Sequence, residues 1–494
     1  MADDSDGRWS ITGSIRVIGE EIAPTFFKFF AKLPKLAQRS IKLIIPFLFM
    51  LVITILPVDL DSQIKYALAV FVCISMLWTF GSLPLPVTAL LVPVLLTFYG
   101  IFPTAEALMP FANPVVYLLM GGLIMAEAFR KHGLDRRLAY AIVSKSEGNL
   151  HLTLLTLMVV SAVLSMWISN TATVALLIPV VLGIASRAGE DKGRLSMQFL
   201  MGIGVGAAIG GMATITGSAP NAVASGLLAN ETPWTFIDWM KLGLPASIVI
   251  LIISWQILIR AFPVGISFLE LGAIKKELES MGPLRMGEKK TLFIFLPTVA
   301  LWIAGADIGA LFGFPASFMS AAIVALSASV LLFATRTLDW QDARTISWEI
   351  FLIVGAGLAL GEGLDASGAA DWIAGQLVSL TGGLSLIIIM LIVSLISVLL
   401  SNLMSNTATA AILVPILIGM SSTLMIDPKF LVLVCALSVS VSFITPIGTP
   451  PFTLIFSTGV LSRENIARGG LRITLPAVLI ITVLTYLLVE FGLV

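Results

Sequence analysis

The sequence predicts an all-α membrane protein of about 11 transmembrane helices plus two opposed re-entrant hairpins in an inverted-repeat arrangement. Three observations predict it. The 494 residues are 58% hydrophobic and 12% charged, with mean hydropathy +1.02. Apolar runs of bilayer-spanning length recur along the chain. The pentapeptide SNTAT occurs twice, at Ser169–Thr173 and Ser405–Thr409, each time between apolar arms.

A soluble domain carries roughly 25% charged residues, so folding alone cannot hide this much apolar surface from water. The formal net charge of +0 argues for no nucleic-acid partner. Arg8, Arg16, Lys28, Lys32, Lys35 and Arg39 precede the first long apolar run. A cleaved signal would place its apolar region earlier. Residues 1–40 read instead as a cytoplasmic amphipathic lead-in at the membrane surface.

A helix needs about 20 apolar residues to cross a bilayer. The spans read as 41–58, 65–82, 85–102, 111–129, 196–216, 241–262, 290–308, 317–334, 346–363, 429–446 and 470–492. Four further pieces, 151–168, 172–186, 382–403 and 408–423, abut the SNTAT segments. A polar tip between short apolar arms reads as a re-entrant hairpin. Irregular backbone at membrane depth is tolerated where protein or a water-filled cavity surrounds it.

The connecting segments sort by charge. Segments 130–145, 187–194, 335–344 and 463–472 are basic, whereas 103–110, 228–240 and 364–380 contain no Lys or Arg. The positive-inside rule puts the basic group in the cytoplasm. The N-terminus is then cytoplasmic and the C-terminus external, which agrees with an odd number of spans.

The two halves match at several points. Aligning Ser169 with Ser405 also aligns Ala175 with Ala411, Leu177 with Leu413, Pro179 with Pro415 and Gly183 with Gly419. Glu127 pairs with Glu362 in the helix before each hairpin, and TITGSAPNAV around Gly217 pairs with TPIGTPPFTL around Gly448. The first hairpin is flanked by basic segments and the second by a charge-poor one, so they enter from opposite faces. Inverted repeats with broken helices near the midplane are a recurrent design of secondary transporters.

Helix N-termini at such breaks offer N–H donors to an anion, and freed carbonyls suit a hard cation. Ser165 and Ser401 lie one helical turn before the two tips and can face the same points. No charged residue falls within either SNTAT or either break motif. A bound anion would therefore rely on helix dipoles and co-bound cations. One SNTAT alone would read as a hairpin cap; two at matching places, each with a Gly-x-x-Pro break, point to a ligand. Pro179 and Pro415 read as kinks and the glycine pairs Gly121-Gly122 and Gly210-Gly211 as close helix packing. Glu127 and Glu362 stay open between helix ends and functional carboxylates.

Other chemistries find no support. Cys73 and Cys435 lie in apolar runs and have no metal spacing or expected disulfide. His132 and His151 form no metal motif, and no phosphate-binding loop is present. An enzyme would need a reactive constellation near the tips, and none is there.

Paired SNT motifs on opposed hairpins, each followed by a Gly-Thr-Pro-Pro-type loop, resemble the divalent anion/sodium symporter family of INDY-type di- and tricarboxylate carriers. The resemblance runs from about residue 41 to the C-terminus. It implies a homodimer in the plasma (inner) membrane, with no cofactor beyond coupling sodium ions. It implies scaffold helices at 41–110 and 241–345, with 241–345 including a cytoplasmic linker, and a last helix at 462–494. Two transport halves would occupy 111–240 (hairpin 151–186, broken helix 196–229) and 346–461 (hairpin 382–423, broken helix 429–461). The transport domain would move as an elevator.

The implied cargo is a C4 dicarboxylate such as succinate or malate carried with sodium, with sodium-independent exchange and sodium/sulfate symport as alternatives. By motif, the anion would meet Ser169, Asn170, Thr171, Ser405, Asn406, Thr407, Thr449 and Pro450. One sodium would use Ser165, Ser169, Asn170 and Gly217; the other would use Ser401, Met404, Asn406 and Gly448. One departure stands out. Pro220 is followed by Asn221, as the family pattern has it, but Pro451 is followed by Phe452, which puts a ring near the expected site.

Overall fold

The computed structural model describes residues 34–313, 315–381, 383–446 and 448–494. Most of the basic lead-in, 1–33, lies outside the described residues. The chain is helical, and among the described residues one isolated bridge, Asn149 to Phe268, is the sole β feature.

Helices α1 (Lys35–Ile55), α2 (Ser62–Phe80) and α3 (Leu85–Phe98) lead to a short α4 (Thr104–Leu108). A series of seven follows: α5 (Pro114–His132), α6 (Leu134–Ser144), α7 (Leu150–Ser165), α8 (Asn170–Ala185), α9 (Lys192–Met212), α10 (Ala219–Glu231) and α11 (Phe236–Ala261). Helices α12 (Gly272–Ser280), α13 (Met286–Leu311), α14 (Ala321–Ala334) and α15 (Trp340–Ala343) connect it to a second series. That series comprises α16 (Glu349–Ala366), α17 (Ala369–Leu380), α18 (Leu386–Leu403), α19 (Asn406–Leu424), α20 (Lys429–Ser438), α21 (Pro450–Ser457) and α22 (Arg463–Glu490). Its order repeats that of α5 to α11 element for element. The repeat seen in the letters is therefore a repeat of structure.

Local chemistry sets the ends. Asn113 caps α5 by accepting from the Val115 N–H at 3.0 Å, Pro114 takes the first helical position, and Gly133 at φ 71° stops the helix. Asn149 caps α7 through the Leu152 N–H at 3.0 Å. Thr235 and Asp238 form a reciprocal capping box that starts α11.

The expected count of 11 spans is not what length and composition give. Among the described residues, seven helices are long and apolar enough to cross a membrane, or up to nine if each of two bent pairs counts once. Helices α3 and α14 are each 14 residues, and α20 with its 3-10 extension ends at Val441, all short of a full crossing. Both arms of the second hairpin, α18 at 18 residues and α19 at 19, are long enough by this measure. A run of 18 apolar residues reads alike as a hairpin arm and as a span, which is why the letters did not separate them.

Helix α9 is the central post. Its apolar window is 94% buried, whereas that of α1 is 6% buried and faces outward almost everywhere. Small residues let α9 and α7 touch backbone to backbone. A Cβ on Gly206 would sit 2.7 Å from the Met158 carbonyl, and one on Gly210 would collide with the Ala162 backbone. Lipid is as apolar as Leu, so close packing of this kind holds membrane helices together. Cys73 and Cys435 are buried free thiols within the helices.

Gly210→Ala should destabilise the fold by about 1–3 kcal/mol through overpacking. Gly183→Ala, which meets open space, should leave stability unchanged or slightly raised. Thermal melting of the detergent-purified protein measures both.

Candidate functional site

The site grows from four helix starts. Helix α7 ends at Ser165, the chain turns through Met166 to Ile168, and Ser169 opens α8 by accepting from the Ala172 N–H at 3.3 Å. Helix α18 ends at Leu403, and Ser405 opens α19. Beyond each hairpin a second break ends in a serine or threonine, Ser218 before α10 and Thr449 before α21.

The two halves are wired alike. Ser165 donates its hydroxyl to Asn170 Oδ1 at 2.5 Å, and Ser401 donates to Asn406 Oδ1 at 2.6 Å. Thr214 donates to the Met166 carbonyl at 2.6 Å and accepts from the Gly217 N–H at 3.1 Å. Thr445 repeats this, donating to the Asn402 carbonyl at 2.8 Å and accepting from the Gly448 N–H at 3.1 Å. A hairpin tip and a helix break are thereby tied into one unit in each half. Glycine is required at the junctions. A Cβ on Gly217 would lie 2.9 Å from the Ser165 carbonyl, and one on Gly448 would lie 2.8 Å from Thr445 Oγ1.

The two units face a single cavity of about 750 Å³. Ser169, Asn170, Thr171, Ser405, Asn406, Thr407, Thr449 and Pro450 all line it, as do Gly217, Met404 and Gly448. Ser165 and Ser401 do not; they are fully buried one layer behind, each holding its asparagine. Among the described residues no charged side chain lines the cavity. Helices α8, α10, α19 and α21 all begin at its wall, and Ser218, Ser405 and Thr449 make no side-chain cap on their own helices. Thr449 Oγ1 is buried without a partner. Among the described residues no cluster of three His, Cys, Asp or Glu could hold a metal ion, so any cation here must use neutral oxygens.

Other residues fall elsewhere. Phe452 is fully buried and does not line the cavity. Its ring packs against Phe443 at 5.7 Å and against Gly204. The ring that the sequence placed near the site is a core side chain. Glu127 is held by Arg130, with Nε to Oε2 at 2.8 Å, and Glu362 meets the Asn230 side chain. Neither carboxylate lines the cavity; Glu127 borders a smaller one of about 380 Å³ that shares Ser169 and Leu123 with it. Trp167, in the first tip, stacks on Trp302 at 6.0 Å and meets Phe295 edge-on at 5.2 Å, which seats that tip against α13.

Thr214, Thr445 and Asn402 were missed by motif reasoning. The threonines were visible as the shared first letter of TITG and TPIG. Asn221 was marked by its place after Pro220, without its bracing role, and Asn402 carries no such signal.

Residues 37–490 match the family profile described as the sodium:sulfate symporter transmembrane region. The chain belongs to the divalent anion/sodium symporter family. This symporter-family member is thus an integral, multi-pass membrane transporter and not an enzyme. It is 33% identical over 488 residues to the sodium-dependent dicarboxylate transporter SdcS of Staphylococcus aureus (strain USA300), covering 94% of each chain. It is 30% identical over 469 residues to SdcS of Staphylococcus saprophyticus, covering 90% of each. An uncharacterized transporter of Haemophilus influenzae is 33% identical over 450 residues, covering 89% of this chain and 95% of that one. Two solved structures share the fold at 14% identity. The Neisseria gonorrhoeae MtrF structure has a TM-score of 0.55 and covers 88% of this chain and 97% of its own. The Alcanivorax borkumensis YdaH transporter has 0.53, covering 78% and 87%.

Removing one threonine tie should loosen its half. Thr445→Val strips a partner from the Asn402 carbonyl and the Gly448 N–H together. It should lower stability by about 1–3 kcal/mol, and Thr214→Val should do the same in the other half. The two losses should be of similar size, since each threonine makes the same two ties, to a hairpin-tip carbonyl and to a glycine N–H.

Proposed function

We propose that this protein is a secondary active carrier that couples a divalent anion, a C4 dicarboxylate such as succinate or malate, to sodium. One observation carries the reading: four helix N-termini converge on one cavity that, among the described residues, no charged side chain lines. Each helix start is worth roughly +0.5 charge. Four together come to about +2 as an upper bound, the complement of a dianion. The two SNT tips face the same space, so a ligand with a carboxylate at each end can meet both. Sulfate has a single anionic centre and uses the pair less well. The names of the Staphylococcus relatives support the same cargo and the same ion.

The resident residues divide the work. Asn170, Thr171, Asn406 and Thr407 offer amide and hydroxyl donors to the two carboxylates, with Ser169, Ser405, Thr449 and Pro450 completing the wall. One sodium is assigned to Ser165, Ser169, Asn170 and Gly217, where the Ser165 carbonyl approaches the glycine. The other is assigned to Ser401, Met404, Asn406 and Gly448. Cations placed there sit beside the anion and offset its charge, so each ligand favours the other. That reciprocity is the coupling.

The motion proposed is an elevator in a homodimer. The two hairpin units travel as one body past α1 to α4 and α12 to α15, with α7–α8 and α18–α19 acting as re-entrant hairpins from opposite faces. The threonine ties and the α7–α9 contact support a rigid moving body. The N-terminus is assigned to the cytoplasm and the C-terminus to the exterior of the plasma membrane.

The test is uptake of labelled succinate into proteoliposomes. Uptake into empty vesicles should require external sodium and fail with potassium. Asn170→Ala and Asn406→Ala should each reduce it by at least about 100-fold, as expected when one of two required half-sites is lost, while melting curves stay close to wild type. Sodium-independent uptake confined to preloaded vesicles would make the protein an exchanger.

A further inference from the structure

The two helix breaks share their threonine ties but differ around them: Ser442, which donates to Asn406 Oδ1 at 3.0 Å, stands where the first half has Gly211, and an amide changes places with an apolar group. In the first half Asn221 is fully buried and its Nδ2 donates to the Gly211 carbonyl at 2.8 Å and the Thr214 carbonyl at 2.7 Å. The matching position in the second half is Phe452, which has no hydrogen-bonding group. The second break is braced instead from the hairpin side. Asn402 Oδ1 accepts from the Ile444 N–H at 3.0 Å and the Thr445 N–H at 3.1 Å. Its Nδ2 donates to the Val398 carbonyl at 2.8 Å, which fixes the side chain. The position matching Asn402 in the first half is Met166.

The exchange also reverses polarity. Asn221 engages carbonyl oxygens of its break, whereas Asn402 engages amide N–H groups. A cation at a broken helix is held by freed carbonyls. In the first half two of those carbonyls are already committed to Asn221. In the second half Asn402 takes up the N–H groups that would repel a cation, while the carbonyls of Val439, Val441 and Pro446 accept from the Ser401, Thr474 and Thr453 hydroxyls, groups that can turn away when a cation arrives. Asn402 also sits next to Ser401, whose hydroxyl holds Asn406.

We propose that Asn402 is a positioning residue for the second cation site. It orients the second break at Ile444 and Thr445 as Asn221 orients the first at Gly211 and Thr214, and it makes the two cation sites unequal. The inference rests on the sodium-coupled reading above, and it is specific to a chain that carries Phe452.

The test uses the full-length purified protein. Melting temperature is recorded against sodium concentration, with potassium as the control, and gives a half-saturating sodium concentration. Asn402→Met, which installs the first half's residue, should raise that concentration roughly tenfold or more, the scale on which supporting residues tune cation sites. If the methionine variant does not fold, Asn402→Ser, too short to reach both N–H groups, must shift in the same direction. A lower sodium-free melting temperature with an unchanged half-saturating concentration would make Asn402 merely structural and overturn the proposal. A wild-type protein whose melting ignores sodium would overturn the sodium-coupled reading itself, a separate result.

Discussion

A helix broken inside a membrane protein strands backbone groups where there is little water to bind them, and each must find a partner. Everything distinctive in this chain follows from meeting that demand four times around one cavity. The breaks at Ser169, Ser218, Ser405 and Thr449 are held by a short list of side chains: two serines, two threonines and two asparagines. These ties consume the groups that face protein. They leave the helix starts facing the cavity open to a ligand.

The same constraint explains how a cavity lined by no charged side chain among the described residues could take the charged cargo proposed for it. A lysine or arginine in the cavity would bind an anion whether or not a cation came with it. Dipoles and neutral oxygens do less on their own. Binding then gains from a cation and an anion arriving together, which is the thermodynamic content of symport. On the proposed elevator reading it would also leave the emptied cavity neutral, so that return of the unloaded form would move no fixed charge through the membrane.

Much of this was legible in the letters. The twin SNTAT segments, the glycines at 217 and 448 and the alignment of the halves picked out residues that line one cavity, because capping residues and helix breakers act locally and announce themselves. The number of crossings was not legible, since an 18-residue apolar run such as α18 suits a span or a hairpin arm equally. Nor was the fate of Phe452. Its neighbours in sequence line the cavity, but a side chain one position on points to another face, and only the packing of Phe443 and Gly204 shows which. Asn402 was hidden for the same reason. The two N–H groups it accepts from lie more than forty residues away, in a break whose path the sequence does not specify.

The central claim is that one dianion bridges the two tips. The most direct measurement is an electron cryomicroscopy structure of the protein in lipid nanodiscs with succinate and sodium. The account predicts one elongated density spanning Asn170-Thr171 and Asn406-Thr407, with a separate small density near Gly217 and another near Gly448. An anion held by one tip alone, or seated beside Arg130 and Arg136 in the smaller cavity, would contradict it.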